Sequence, residues 1–200
     1  MKRIITFTLA IILCCFSCKK DENGVLDNTP VQYFPGVSIA NQSAATFNCF
    51  LTFDSCKVLT INEAKLNQSK VDLIFLHNNP DDLAMLVSPA SIASATTIKP
   101  LVYTDPTYGV TSWTAKNSIQ IGITDISVAD FTEVDTNGEL HSAYENDAHV
   151  TIGWEIDIKP NRVYKFTSNR TGKRGLIKVN SINGNYSSPG NIVMDIKMIN

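Results

Sequence analysis

The chain has almost no excess of charge of either sign, with 17 Lys and Arg against 19 Asp and Glu. Its overall charge therefore gives no electrostatic footprint for a nucleic-acid partner, and none is expected. It also lacks an apolar run of membrane-spanning length. The run from Ile4 to Phe16 falls short of the roughly 20 residues that a spanning helix requires. Histidine is scarce, with His77, His141 and His149 the three present, and no HExxH pair exists. There is no GxSxG elbow and no GxxxxGK[ST] loop, since Gly172-Lys173 is followed by Arg174. No catalytic residue is assigned on these grounds. A hydrolase would have to assemble its site from positions far apart in sequence, and the chain is read as a non-enzyme.

What is present begins with an uneven use of cysteine. Lys2 and Arg3 precede the apolar run, which ends at Ser17, Cys18 and the charged stretch Lys19-Lys20-Asp21-Glu22. Charge follows at once and no second apolar segment appears, so the run reads as a removable signal and not an anchor. Of Cys14, Cys15 and Cys18, only Cys18 follows a small residue. The arrangement resembles the signal of bacterial lipoproteins. That resemblance implies cleavage between Ser17 and Cys18, a diacylglycerol thioether on Cys18, and a further acyl chain such as palmitate on its new amino group. One acyl chain binds a membrane marginally, whereas two or more hold firmly. Cys15 and Phe16 stand where a Leu and a small residue are usual, a looseness similar to lipoproteins of the Bacteroidota. The Lys-Asp-Glu that follows resembles the surface-export signal carried by some of them. The implied location is the outer membrane, facing the cell surface or alternatively the periplasm.

Residues 1–17 are thus expected to be the signal peptide, and 18–35 the lipidated cysteine and a flexible tether broken by Gly24, Pro30 and Pro35. Residues 36–200 are long enough for a single domain with a sizeable core. Cys49 and Cys56 are candidates for a disulfide outside the cytosol, although the short segment between them demands a tight reversal.

From Val37 onward the dominant period is two, the period of strands. Val150 to Ile158 alternates apolar even positions with Thr, Gly, Glu and Asp. Lys159-Pro160-Asn161 then supplies a turn, and Val163 to Thr167 is expected to return alongside. Gly175 to Val179 and Ile192 to Met198 extend this into an antiparallel meander, with Asp195 and Lys197 on a wet face. Further strands are expected at Thr46 to Phe53, Val71 to His77, Leu83 to Val87 and Ser118 to Ile123. Val71 to Leu76 is apolar on both faces apart from Asp72, which suggests a central strand. Helices are few. Thr60 to Glu63 is a capping box opening a helix to about Gln68, Ser127 to Asp130 starts a second, and Gly138 to Asn146 forms a third. The fold class is mainly β, an antiparallel sandwich or strongly bent sheet with two or three short helices.

Val37 to Ser43, Thr60 to Ala64, Val71 to Phe75, Trp113 with Lys116-Asn117, and Val163 to Phe166 leading to Arg174 to Val179 resemble Bacteroidota lipoproteins of about this length. The resemblance implies fold and compartment, and no activity. A more distant similarity is to the HmuY-like haem-capturing lipoproteins, in which paired ligands require two histidines facing one pocket.

Candidate sites follow from local chemistry. Glu133, Asp135 and Asn137 place oxygen ligands at alternate positions before Gly138, as a calcium loop does, but Tyr144 stands where the bidentate Glu belongs. The alternative there is a solvated turn at Asn137-Gly138. His141 and His149, with Glu145, are weak candidates for a metal or haem site, and His77 is read as a rim residue. Asp81-Asp82 reads as turn chemistry after Pro80. Tyr103, Tyr108 and Trp113 lie in a segment rich in Pro, Gly, Thr and Asp, where ring faces beside hydroxyls suit a sugar. The competing reading is that Trp113 plugs the core. The leading expectation is a membrane-anchored module that binds a nutrient or protein partner, with no cofactor beyond the lipid on Cys18. Haem or glycan capture is the alternative, and a hydrolase with an unrecognised site the third.

Overall fold

The computed structural model describes residues 27–44, 48–78, 81–92, 106–149 and 155–200. Cys18, Tyr103 and most of the Val150 to Ile158 stretch lie outside them. Within the described residues ten strands form two antiparallel five-stranded sheets. The first contains β1 (Gln32–Ala40), β6 (Ile119–Ile123), β8 (Arg162–Ser168), β9 (Arg174–Ile182) and β10 (Asn191–Met198), in the order β1-β10-β9-β8-β6. The second contains β2 (Phe50–Thr52), β3 (Lys57–Leu59), β4 (Leu73–His77), β5 (Ala84–Val87) and β7 (Glu155–Asp157), in the order β3-β2-β4-β5-β7. Among the described residues four short helices accompany them: α1 (Ile61–Leu66), α2 (Pro89–Ile92), α3 (Val128–Glu133) and α4 (Asn137–Asn146). The mainly β sandwich is the fold class that the period of two indicates.

The core lies between the sheets because one parity of each strand points there. Tyr164 and Phe166 of β8, Ile177 and Val179 of β9, and Ile192, Met194, Ile196 and Met198 of β10 are all buried in one cluster with β2, β4 and β5. Every residue of β4 is buried, as befits the middle strand of its sheet. Phe53 and Phe166 stack across the interface with centroids 4.2 Å apart. Gly175 makes room for this pair, since a Cβ there would lie 2.6 Å from the Phe166 ring and 2.4 Å from the Lys197 carbonyl oxygen.

The structure departs from the sequence expectation in three places. Strand β1 starts at Gln32, inside the stretch read as tether, and passes Pro35-Gly36 through a bulge between Phe34 and Val37. Proline has no amide to offer a ladder and is tolerated at such a bulge. Next, β7 does not form a hairpin with β8. It pairs with β5 in the second sheet, while β8 lies between β6 and β9 in the first. The turn residues specify a reversal of direction but not the sheet to which the chain returns. Finally, the outer face of the first sheet is not wet. Phe131 of α3 packs on Val163 and Leu176, and Asp195 and Lys197 are buried beneath that layer.

Candidate functional site

Lysines on this covered face close the ends of the helices above it. Lys197 Nζ donates to the carbonyl oxygens of Thr132 at 3.1 Å and Val134 at 2.5 Å, at the C-terminal end of α3. Lys165 Nζ donates to the Asp147 carbonyl at 3.0 Å and pairs with its carboxylate at 3.1 Å, just past α4. The last carbonyls of a helix have no partner within it and carry partial negative charge, so a cation there is stabilising. Both lysines come from strands of the meander, and for Lys197 the period of two alone points away from the core and does not show the helix that covers it.

The stretch Glu133 to Gly138 is a junction between helices. Thr136 caps α4 and Glu139 returns the capping box, its carboxylate accepting from the amides of Asp135 and Thr136 at 2.9 Å each. Asn137 is buried as the first residue of α4; its Nδ2 donates to Asp27 Oδ2 at 3.1 Å and its Oδ1 accepts from the Asn200 amide at 3.0 Å. The solvated-turn reading of Asn137-Gly138 is corrected by this geometry, and of the oxygens that spacing proposed for calcium those of Asp135 and Asn137 face separate partners. Glu133 ends α3, and Asp135 Oδ1 lies 3.5 Å from Lys197 Nζ. His141 stands on α4, whereas His149 Nδ1 lies 3.5 Å from both Asp125 and Asp147. Among the described residues no three His, Cys, Asp or Glu side chains gather as a metal site.

Trp113 is buried and tilts against Phe50 with centroids 5.5 Å apart, while its indole N–H donates to the Tyr108 carbonyl at 3.0 Å. It plugs the core, as one of the two readings of its segment has it, and offers no face to a ligand. Tyr108 remains 42% exposed. His77 is buried and not at a rim: Gln42 holds both its backbone amide and its carbonyl. Its Nδ1 lies 3.3 Å from Asp82 Oδ1, an atom that also accepts from the Tyr186 amide at 2.6 Å. Asp82, with a positive φ of 54°, thus links two loops beyond its turn role.

The cysteines stand at opposite ends of the β2–β3 hairpin. Phe50 pairs with Leu59 and Thr52 with Lys57, so Cys49 lies beyond the open end and Cys56 at the turn. At about 3.3 Å per residue they are more than about 10 Å apart along the ladder, past the ~7 Å Cα separation a disulfide tolerates. They carry separate thiols. Burial pushes the Cys56 thiol up to about 12, with Lys173 drawing it down and Asp72 pushing it further up. Burial raises Cys49 as well.

The Cys56 turn adjoins a cluster that sequence reading missed. Asp72 is fully buried; it accepts from the Phe53 amide at 2.8 Å, from Ser168 Oγ at 3.2 Å and from Arg170 Nη2 at 2.8 Å. Arg170 also reaches both oxygens of Asp54. Hydrogen bonds donated to these carboxylates, that to Asp72 first, hold the guanidinium pKa above its usual value, against desolvation. The available signal was an acid inside the run Val71 to Leu76, which must find a partner if buried.

Two open clefts border the first residues of the fold. Asp27 and Thr29 accept through their carbonyl oxygens from the amides of Gly138 and Asn137, which fixes the incoming chain against the start of α4. The Thr29 side chain and amide, together with Asn137, hold the Asp27 carboxyl below its usual range. One cleft, of about 470 Å³, lies between Pro30, Tyr33, Phe131, Lys178 and Lys197. Its cations are already engaged, Lys178 with Asp195 at 2.7 Å and Lys197 with α3. The other, of about 480 Å³, lies between His141, the turn Thr171 to Arg174, and Asn200. Lys173 reaches Gln32 Oε1 at 3.1 Å, and Arg174 pairs with Glu145.

No protein-family model and no curated protein matches this chain. Among solved structures it is similar to a DUF4466 family protein from Parabacteroides merdae, at 12% identity and a TM-score of 0.49. The match covers 84% of this chain and 53% of that one, so this chain spans about half the length of that structure.

Proposed function

We propose that this chain is a lipid-anchored, non-enzymatic binding module of the bacterial outer membrane. The observation that carries the reading is the order Lys2-Arg3, the apolar run Ile4 to Phe16, Ser17 and Cys18. A run too short to span and closed by charge is a removable signal, and the cysteine after Ser17 is the residue that lipoprotein processing would acylate. The described fold supports the reading in its layout, since the chain is tied down from Asp27 onward. The segment from Cys18 to Asp27 is then a tether of at most about 32 Å when extended. Both clefts lie near its attachment and are open to a ligand. The test is membrane fractionation of Cys18→Ser: the variant is expected in the soluble fraction and unlabelled by fatty acid, and retention in the membrane overturns the anchor.

A glycan-binding reading is favoured by one observation. The Tyr33 ring is 49% exposed at the mouth of the cleft that also holds Thr132 and Asp135, and ring faces beside oxygen acceptors suit sugars. On this reading Tyr33→Ala abolishes retention on a glycan array; binding that survives it removes the cleft from consideration.

A further inference from the structure

The cleft between α4 and the β8–β9 turn gathers polar donors that the fold itself leaves unused. Among the described residues Lys173 Nζ has one hydrogen-bond partner, the neutral Gln32 Oε1, and no carboxylate within 4.0 Å. Arg174 engages Glu145 through Nη1 and lies 5.3 Å over the Tyr144 ring, which leaves Nε and Nη2 available. The His141 ring, on an exposed position of α4, makes no hydrogen bond among the described residues. The Thr171 hydroxyl accepts from the Lys173 amide and keeps its proton free to donate. These groups converge on about 480 Å³ in a chain whose overall charge is slightly negative. An ammonium, a guanidinium and an imidazole around one opening match a tetrahedral oxyanion, which takes several charge-assisted hydrogen bonds at once.

The place of the cleft narrows the source. Gln32, which holds Lys173, is the first residue of β1, five residues after Asp27, and Asp27 is fixed to the first turn of the helix that carries His141. The incoming chain and the cleft therefore share one end of the molecule. We infer that this cleft takes a phosphate group, and that the phosphates of the lipid headgroup layer supply it. The lipid as source rests on the anchor at Cys18, because only a short tether keeps this end within reach of the bilayer. Basic side chains at an anionic surface then orient the domain as well as hold it. Glu145 offsets Arg174 in the empty cleft, and a bound phosphate takes over the guanidinium in its place.

The test uses the mature chain, residues 18–200, with Cys18→Ser, so that the result is independent of acylation. Sedimentation with phosphatidylglycerol vesicles is expected, weakened by salt and reduced about tenfold or more in Lys173→Gln/Arg174→Gln. Vesicles of phosphatidylcholine alone should sediment it less. Lys159→Gln, an exposed lysine just before the start of β8, the end of that strand remote from the cleft, serves as the control and should bind like the parent. Glycerol phosphate should shift the amide resonances of Thr171 to Arg174 in the same sample. If glycerol phosphate shifts them but no vesicle binds, the lipid source is overturned. If neither probe binds, or the double variant binds as the parent does while remaining folded, the phosphate site itself is overturned.

Discussion

Arg170 Nη2 donates to Asp72 Oδ2 across 2.8 Å, and this contact joins the β8–β9 turn of one sheet to the start of β4 in the other. The Asp72 side chain has no exposure and the Arg170 side chain 22%. Removing one partner of a buried pair leaves a charge without compensation. Arg170→Ala is expected to lower the unfolding free energy by about 3–5 kcal/mol, measured by urea denaturation. Arg170→Lys should recover only part of this, since one ammonium does not span Asp54 and Asp72 as the guanidinium does. A loss below about 1 kcal/mol, the level of a surface pair, contradicts the role given to this contact.

Lys197 can be tested as a helix cap. Lys197→Met keeps much of the apolar stem and deletes the ammonium, which lies 5.3 Å over the Tyr33 ring and 5.1 Å over the Phe131 ring. The expected cost is about 1–2 kcal/mol, from lost charge-assisted bonds to the end of α3. Amide exchange should quicken first in residues 128–134. Uniform exchange across the fold would place the effect elsewhere.

Acid should weaken the fold through Asp147 and Asp195. Burial pushes both carboxyls up. For Asp147 the Asp125 amide, Lys165 and the His149 amide outweigh it, and for Asp195 Lys178, the Gly36 amide and Asn180 do, so both end below the usual value. A carboxyl held low in the fold contributes stability that is present above its unfolded pKa and lost as pH falls through the folded one. Stability from these groups is therefore expected to hold down to about pH 4 and fall below it. Urea midpoints across that range check this, and Asp147→Asn should flatten the acid slope while lowering stability at neutral pH. An unchanged slope contradicts the assignment.

Much of the fold is legible in the sequence because strands with one buried face repeat every two residues. Ile192, Met194, Ile196 and Met198 point inward as that pattern requires, and three capping boxes mark the starts of α1, α3 and α4. Two of those boxes, at Thr60 and Ser127, were read from sequence. What local pattern does not carry is pairing over distance. The bond between Arg170 and Asp72 spans 98 positions, and the choice of β5 over β8 as the partner of β7 depends on the whole sheet. The site was less legible still. The core role of Trp113 is open to reading from its segment, but Lys173 and Arg174 figure in the sequence only as a failed phosphate-loop motif and the start of a strand, neither of which points to a cleft.

The two thiols of the domain should prove inert. With Cys56 raised to about 12 and Cys49 buried, a thiolate-specific reagent at mildly alkaline pH is expected to react slowly with the native mature chain and with both residues after denaturation. A Cys49–Cys56 disulfide in the protein isolated from cells would contradict the hairpin geometry.

The central claim is that Cys18 becomes the lipidated first residue of the mature protein. Intact mass spectrometry of the protein extracted from membranes tests it most directly. The expected species begins at Cys18 and carries a diacylglycerol thioether with a further acyl chain on the amine. A mature chain that begins at another residue, or that begins at Cys18 with an unmodified thiol, contradicts the account.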